Sequence, residues 1–169
     1  CYMPEAEDGK QWLLTAVDVC TRWGFVQPMN TLDSQEAAQI VLENWGKIGV
    51  FFNPTKATHD GGAEFKGMFI DMCAILKVER HVSLHDRPAG HGIIERFNRN
   101  ICQIIGKLTK ENPETWPFVA QIAADTHNAS IHAPLQRGTY GISPSEGMHG
   151  MKPKLACDST STEIEDLIR

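Results

Sequence analysis

The sequence has no apolar run near the roughly 20 residues needed to span a bilayer, and its first residues lack the pattern of a secretory signal. A soluble, intracellular chain is the expectation. The five cysteines (Cys1, Cys20, Cys73, Cys102, Cys157) include no close-set pair, and their number is odd, so neither a disulfide framework nor a zinc knuckle is expected. His81, His85 and His91 stand near one another, but no two cysteines accompany them to complete a tetrahedral site, so no zinc is expected in this fragment. Positive charge is scarce too: 16 basic against 21 acidic residues leave a net charge of −5, the wrong sign for gripping DNA by counterion release alone. Any affinity for nucleic acid has to be local or metal-assisted. No internal repeat is present.

What remains is the composition of one globular domain. At 169 residues the chain can bury a substantial core. We read residues 1–155 as that domain and the small, polar and acidic residues 156–169 as a linker or tail. The run WLLTAVDV from Trp12 to Val19, a turn near Arg22 to Gly24, and FVQP from Phe25 predict two antiparallel strands, the first largely buried. Asp33 followed by Glu36 resembles a capping box, and Ala37, Ile40, Val41, Trp45 and Ile48 recur at helical spacing behind it. A short strand is predicted to end at His59-Asp60 before two glycines. Phe65, Met68, Phe69, Met72, Cys73 and Leu76 then mark a helix, and Val78 to Leu84 alternates as a strand with Val78, Val82 and Leu84 on one side.

Residues 85–92 read as a loop, followed by a long amphipathic helix carrying Ile94, Phe97, Ile101, Ile104, Ile105 and Leu108, which Asn112-Pro113 stops. A further helix opens around Thr115 to Pro117 with Phe118, Val119, Ile122 and Ala123 inward, and Ser143-Pro144 starts a short last one. The class is α/β: a mixed sheet whose strands come early, covered by helices, with a helical C-terminal half.

Two carboxylates draw attention. Asp60 stands where the following glycines let the backbone turn sharply, which suits an uncovered ligand and equally an ordinary turn aspartate. Glu95 falls in the first turn expected for the long helix, where the helix dipole favours a negative charge. A carboxylate at a strand end and another at a helix start can converge on hard cations that take oxygen ligands. Two such ions can activate an attacking oxygen and stabilise a leaving one in phosphodiester chemistry. From Asp86 to Lys110 the charge also reverses: Arg87, Arg96, Arg99, Lys107 and Lys110 outweigh Asp86 and Glu95 to give +3. A solvated helix face is the plain alternative.

Three segments carry a resemblance: THDGGAEF at 58–65, RPAGHGIIERFNR at 87–99, and Asn128 with His132 followed by GISPSEGMHG at 141–150. In this order they resemble the catalytic core of retroviral and LTR-retrotransposon (gypsy-type) integrases. The 35 residues from Asp60 to Glu95 match that family's spacing between its second and third acidic ligands, and the resemblance runs from about Lys10 to Leu155. It implies a ribonuclease-H-like fold with a five-stranded mixed sheet. It also implies a two-metal Mg²⁺ or Mn²⁺ site with Asp60 and Glu95 as catalytic ligands, and an activity that processes 3′ ends of element DNA and joins them to target DNA. Arg99, His91 and Lys107 become candidates for contacting DNA, His91 from the loop beside the site, while Asn128, His132 and Ser143 are implied to be structural.

The same resemblance implies a homodimer or higher homo-oligomer, DNA as partner, no membrane, and location in the nucleus and the element's cytoplasmic particle. The chain departs from the family in three places. The first acidic ligand falls at or just before Cys1; Asp18 is the available substitute, but strand alternation points it to the face opposite Thr15. Asp86 replaces an aromatic and Gly61 an asparagine. The alternative reading is a non-catalytic integrase-derived module for oligomerisation or partner binding. Without a zinc-binding domain ahead of it or a basic domain behind it, the core by itself is expected to bind DNA weakly.

Overall fold

The computed structural model describes residues 1–48, 54–83, 88–132, 135–137 and 140–153. The first hairpin pairs β1 (Trp12–Val17) with β2 (Gly24–Met29) antiparallel, Trp12 opposite Met29 and Val17 opposite Gly24. Successive residues of a strand face opposite ways, and here each face acquires its own core. Leu13 and Val26 join one cluster with α3 (Pro88–Leu108) and α4 (Trp116–Ala129), through Phe97, Ile101, Ile105, Trp116, Ala120, Ala123 and Ala124. Leu14, Phe25 and Met29 join the other with α1 (Ser34–Ile48) and α2 (Met68–Ile75), through Ala37, Val41, Phe69, Met72 and Cys73. The hairpin is therefore the middle of three layers.

Helix α1 starts as its sequence predicts. Asp33 Oδ2 accepts from the backbone N–H groups of Gln35 and Glu36, while the Glu36 carboxylate reaches back to the N–H groups of Asn30 and Thr31. Ala37, Ile40 and Val41 face inward, and the side chains of Trp45 and Ile48 lie outside the described ones. The short strand β3 (Lys56–His59) pairs in parallel with β4 (Glu79–Val82), giving the expected order of elements through residue 82. Val78 is buried as predicted, but Val82 is 46% exposed, and Leu84 lies outside the described residues. On α2, Phe69, Met72 and Cys73 are buried and Met68 is exposed.

The five-stranded mixed sheet of a ribonuclease-H-like fold is not formed. Among the described residues the strands pair only in twos: β1 with β2, β3 with β4, and a two-residue pair of β5 (Gln136–Arg137) with β6 (Tyr140–Gly141). Along the edge of β1 away from β2, Cys1 and Met3 pair with Leu13 and Gln11 through backbone hydrogen bonds, with a bridge from Tyr2 to Trp12. Nothing described hydrogen-bonds the rest of that edge to β3, so the hairpin and the parallel pair share the second core without sharing a ladder.

Two helices differ from expectation. α3 begins at Pro88, within the segment read as a loop, because proline at the first helical position has no N–H to lose and a preset φ. Glu95 consequently lies in the third turn rather than the first, beyond the reach of the dipole effect, which fades within one turn. α4 is rotated from the predicted face: Phe118 is 72% and Ile122 53% exposed, while Trp116, Ala120, Ala123, Ala124 and His127 turn inward. Trp116 fixes that rotation by donating its indole N–H to the Pro4 carbonyl at 2.8 Å from within the first core. A stripe of alanines then faces α3 and the sheet. α5 (Pro144–His149) starts at Ser143-Pro144 as predicted, the Ser143 hydroxyl accepting from Glu146 N–H at 3.1 Å. The tail at 156–169 lies outside the described residues.

The tightest point of this packing is Gly24. A Cβ there would lie 2.5 Å from the Phe97 ring and 2.9 Å from the Ala16 carbonyl oxygen. Gly24→Ala is expected to cost about 1–3 kcal/mol by overpacking, read as a lower urea midpoint; an unchanged midpoint would show that Phe97 can retreat without penalty.

Candidate functional site

Asp60 follows β3 directly, and its neighbour His59 fixes that strand end. The His59 ring packs against Phe65 at 4.9 Å and Phe69 at 5.7 Å, and its Nδ1 bonds the Asp60 carbonyl oxygen. The Asp60 carboxylate is exposed and accepts a single long bond from Gly62 N–H at 3.3 Å. Gly62 also lies against the Glu64 carboxylate, so closely that any Cβ at position 62 would collide with it. Glycine at 62 is what lets the Glu64 carboxylate fold back toward the Asp60 turn. The sequence reading passed over Glu64, and only the side chain's reversal over Gly62 reveals it.

A third segment reaches the same place. Burial pushes the Cys1 amine below its ordinary value, against upward pulls from Cys102, Glu64 and Asp60. Each of these couplings is to the Cys1 amine alone. Glu95 lies seven residues before Cys102, two turns along the same helix face and about 10 Å away along the axis. It is exposed and makes no hydrogen bond or ion pair among the described residues. Cys102 itself is half-buried, and desolvation raises its thiol.

The other candidates separate. Arg99, one turn past Glu95 on that face, is exposed and has no described partner, whereas Arg96 folds back to the Gly92 carbonyl at 2.9 Å. Lys107 is in the last turn of α3, rotated by roughly a third of a turn from Glu95. His91 belongs to the first turn of α3, not to a loop, and its side chain lies outside the described ones. Asp18 sits in the turn after β1, where its Oδ2 accepts from Thr21 N–H at 2.7 Å and Thr21 Oγ1 at 2.8 Å. Its carboxylate closes the hairpin.

Asn128, His132 and Ser143 make backbone bonds. Asn128 clamps Gly24 from both sides, its Oδ1 accepting from the N–H at 2.9 Å and its Nδ2 donating to the carbonyl at 2.7 Å. His132 Nε2 bonds the His127 carbonyl at 3.1 Å. His127, unnoticed in the sequence, is only 4% exposed and joins α3 to the hairpin turn.

Asp60 and Glu95 thus offer exposed oxygen donors of the kind that hard divalent cations take. Among the described residues no group of three or more His, Cys, Asp or Glu side chains gathers to metal-binding distance. The oxygen-donor chemistry of these two carboxylates is of the kind magnesium takes.

No protein-family model matches the chain. It is 27% identical over 167 residues to the Gag-Pol polyprotein of Avian reticuloendotheliosis virus, an alignment that covers 95% of the chain and 14% of that polyprotein. The chain is therefore similar to a region of a retroviral Gag-Pol polyprotein and spans a small part of that relative's length.

Burial of His127 has a consequence for stability. Desolvation, with a smaller push from His132, lowers its imidazole from the ordinary 6.5 to about 4, against an upward pull from the Arg22 carbonyl. Between those values the unfolded chain holds a proton that the folded one refuses. Stability is expected to fall as pH drops through that window, by on the order of 3 kcal/mol in total, and to level off below it. Urea unfolding at stepped pH checks this; His127→Gln should flatten that part of the acid limb, and an equally steep limb in the variant would assign it to other groups.

Proposed function

We propose that this chain is the catalytic core of a retroelement integrase, a polynucleotidyl transferase that trims the 3′ ends of element DNA and joins them to target DNA. The observation that carries the reading is the exposure of two carboxylates, Asp60 at the end of β3 and Glu95 on α3, at the positions where the three motifs resemble an integrase core. The three sequence motifs place a first acidic ligand at or just before Cys1, a second at Asp60 and a third at Glu95. The similarity to a retroviral Gag-Pol region supports a retroelement origin.

In this reading Asp60 and Glu95 hold Mg²⁺ or Mn²⁺, and the bound ions supply Lewis-acid activation of the attacking oxygen and stabilisation of the leaving one. The chain's own contributions follow from its geometry. The Gly61-Gly62 turn keeps the Asp60 carboxylate uncovered, and the Glu64 carboxylate adds negative potential beside it. Arg99, exposed one turn from Glu95 and without a partner among the described residues, would bind a DNA phosphate, with Lys107 in the last turn of α3 and His91 in its first as further candidates. Homo-oligomeric assembly on DNA, in the element's particle and the nucleus, belongs to the same proposal.

The test is calorimetric titration of Mg²⁺ and Mn²⁺ into the chain beside Asp60→Asn and Glu95→Gln. Each substitution is expected to weaken binding at least tenfold, about 1.4 kcal/mol or more. Binding in the wild type that neither substitution changes would place the metal elsewhere. Binding that stays absent even when an aspartate is supplied ahead of Cys1 would favour a non-catalytic, integrase-derived module.

A further inference from the structure

Four parts of the chain meet at the His127 imidazole, a buried titratable group that the proposed chemistry does not use. α4 carries it. The turn after β1 presents the Arg22 carbonyl to Nε2 at 3.2 Å, and α3 presents the Asn100 Nδ2 to Nδ1 at 2.8 Å. The Phe97 ring meets the imidazole edge-on at 4.7 Å and 89°. The segment after α4 lays His132 against it, ring centres 4.4 Å apart, with His132 Nε2 on the His127 carbonyl.

These partners decide the tautomer. A carbonyl oxygen can only accept, so Nε2 carries the proton and Nδ1 offers its lone pair to the Asn100 amide N–H. A second proton has only Nδ1 to go to, and there it opposes the Asn100 NH₂, donor against donor.

Among the described residues, none that meets the ring carries a compensating negative charge. From the β1–β2 turn comes Arg22, whose guanidinium has one buried nitrogen without a partner, and from the following segment comes His132. α3 contributes the neutral Phe97 and Asn100. The carboxylates nearest in sequence are committed, Asp18 to Thr21 and Asp125 to Gln121. The neighbouring Asn128–Gly24 clamp and the Phe97–Gly24 contact bind the same helix and turn, so strain at His127 is delivered to that junction.

We propose that neutral His127 is the latch that holds α3, and with it Glu95 and Arg99, against the β1–β2 turn, and that a proton on its Nδ1 releases α3 from that turn. The consequence for the carboxylate site rests on the function proposed above; the latch itself does not.

The experiment follows the ring ¹⁵N signals of His127 and the hydrogen-exchange protection factors of Phe97 to Ile101 from pH 7 to pH 3.5, in wild type, His127→Gln and Asn100→Asp. A single Nε2–H tautomer is expected at pH 7, with protection on α3 falling at least tenfold in step with His127 protonation. In Asn100→Asp the carboxylate can accept from Nδ1–H, so His127 should take its proton at higher pH while α3 stays protected. In His127→Gln, which cannot titrate, the step should vanish.

Protonation of wild-type His127 that leaves α3 protection unchanged overturns the latch, because a flip of the Asn100 amide then suffices. So does release in Asn100→Asp identical to wild type. If His127→Gln does not fold, the other two proteins still decide. Mg²⁺ titrated into the same samples at pH 7 separates the two ideas. No metal binding beside an intact latch, even with an aspartate supplied ahead of Cys1, rejects the carboxylate site alone, and metal binding without coupling of His127 to α3 rejects the latch alone.

Discussion

The closeness of α3 to the start of β2 is the constraint on which the arrangement turns. Phe97 rests where a side chain of residue 24 would otherwise be, so α3 can approach the hairpin only over a glycine. Such an approach buries the N–H and C=O of that glycine, and a buried backbone group left unpaired costs about 1–3 kcal/mol. Asn128 removes the penalty with a two-bond clamp from α4. Three elements are thereby locked at one residue, and because Asn128 follows His127, the clamp and the imidazole junction are a single structural unit. The orientation of α3, which decides where Glu95 and Arg99 point, is set there rather than at the carboxylates themselves.

The hairpin's two faces explain how the remaining elements are arranged. Leu13 and Leu14 are adjacent in sequence yet belong to different cores, one closed by α3 and α4 and the other by α1 and α2. The parallel pair of β3 and β4 contributes Ala57 and the preceding Val78 to the second core only. Its attachment to the hairpin is hydrophobic contact through shared helices, with no described ladder between the sheets. Asp60 and Glu95 are consequently held by different layers. Their spatial relation depends on the packing of α3 and β3 against the middle layer.

Much of this was legible in the sequence where local chemistry decides. Asp33 and Glu36 announce α1, Ser143-Pro144 announces α5, and the alternation around Leu13 and Phe25 gives the hairpin, because caps and strand faces are settled within a few residues. The failures come where a distant partner decides. Periodicity alone allowed Phe118 and Ile122 to face inward, but the Trp116 bond to Pro4, 112 residues away in sequence, turns the helix to its alanine stripe. The start of α3 was hidden by glycines and a proline that read equally as a loop. The five-stranded sheet was an inference from family resemblance, and no residue pattern could test whether β1 and β3 would share a partner. At the site, Asp60 and Glu95 were visible as motif residues, whereas Glu64 and His127 were not, since their roles depend on a side chain folding over Gly62 and on a burial no motif records.

The charge of the molecule sharpens the functional reading. A chain of net charge −5 repels a phosphate backbone, and the Asp60 turn with Glu64 beside it concentrates that repulsion where, under the proposed function, DNA would approach. Such a place becomes compatible with a phosphodiester only if divalent cations sit between the carboxylates and the strand, or if nearby cations are free to offset them. Arg99, exposed one turn from Glu95 and without a partner among the described residues, is a candidate for the second condition, but one arginine does not offset the Asp60 and Glu64 carboxylates. Under the proposed function, the electrostatics would make metal binding a precondition for DNA binding at this surface: the ions would be needed to admit the strand before they activate it.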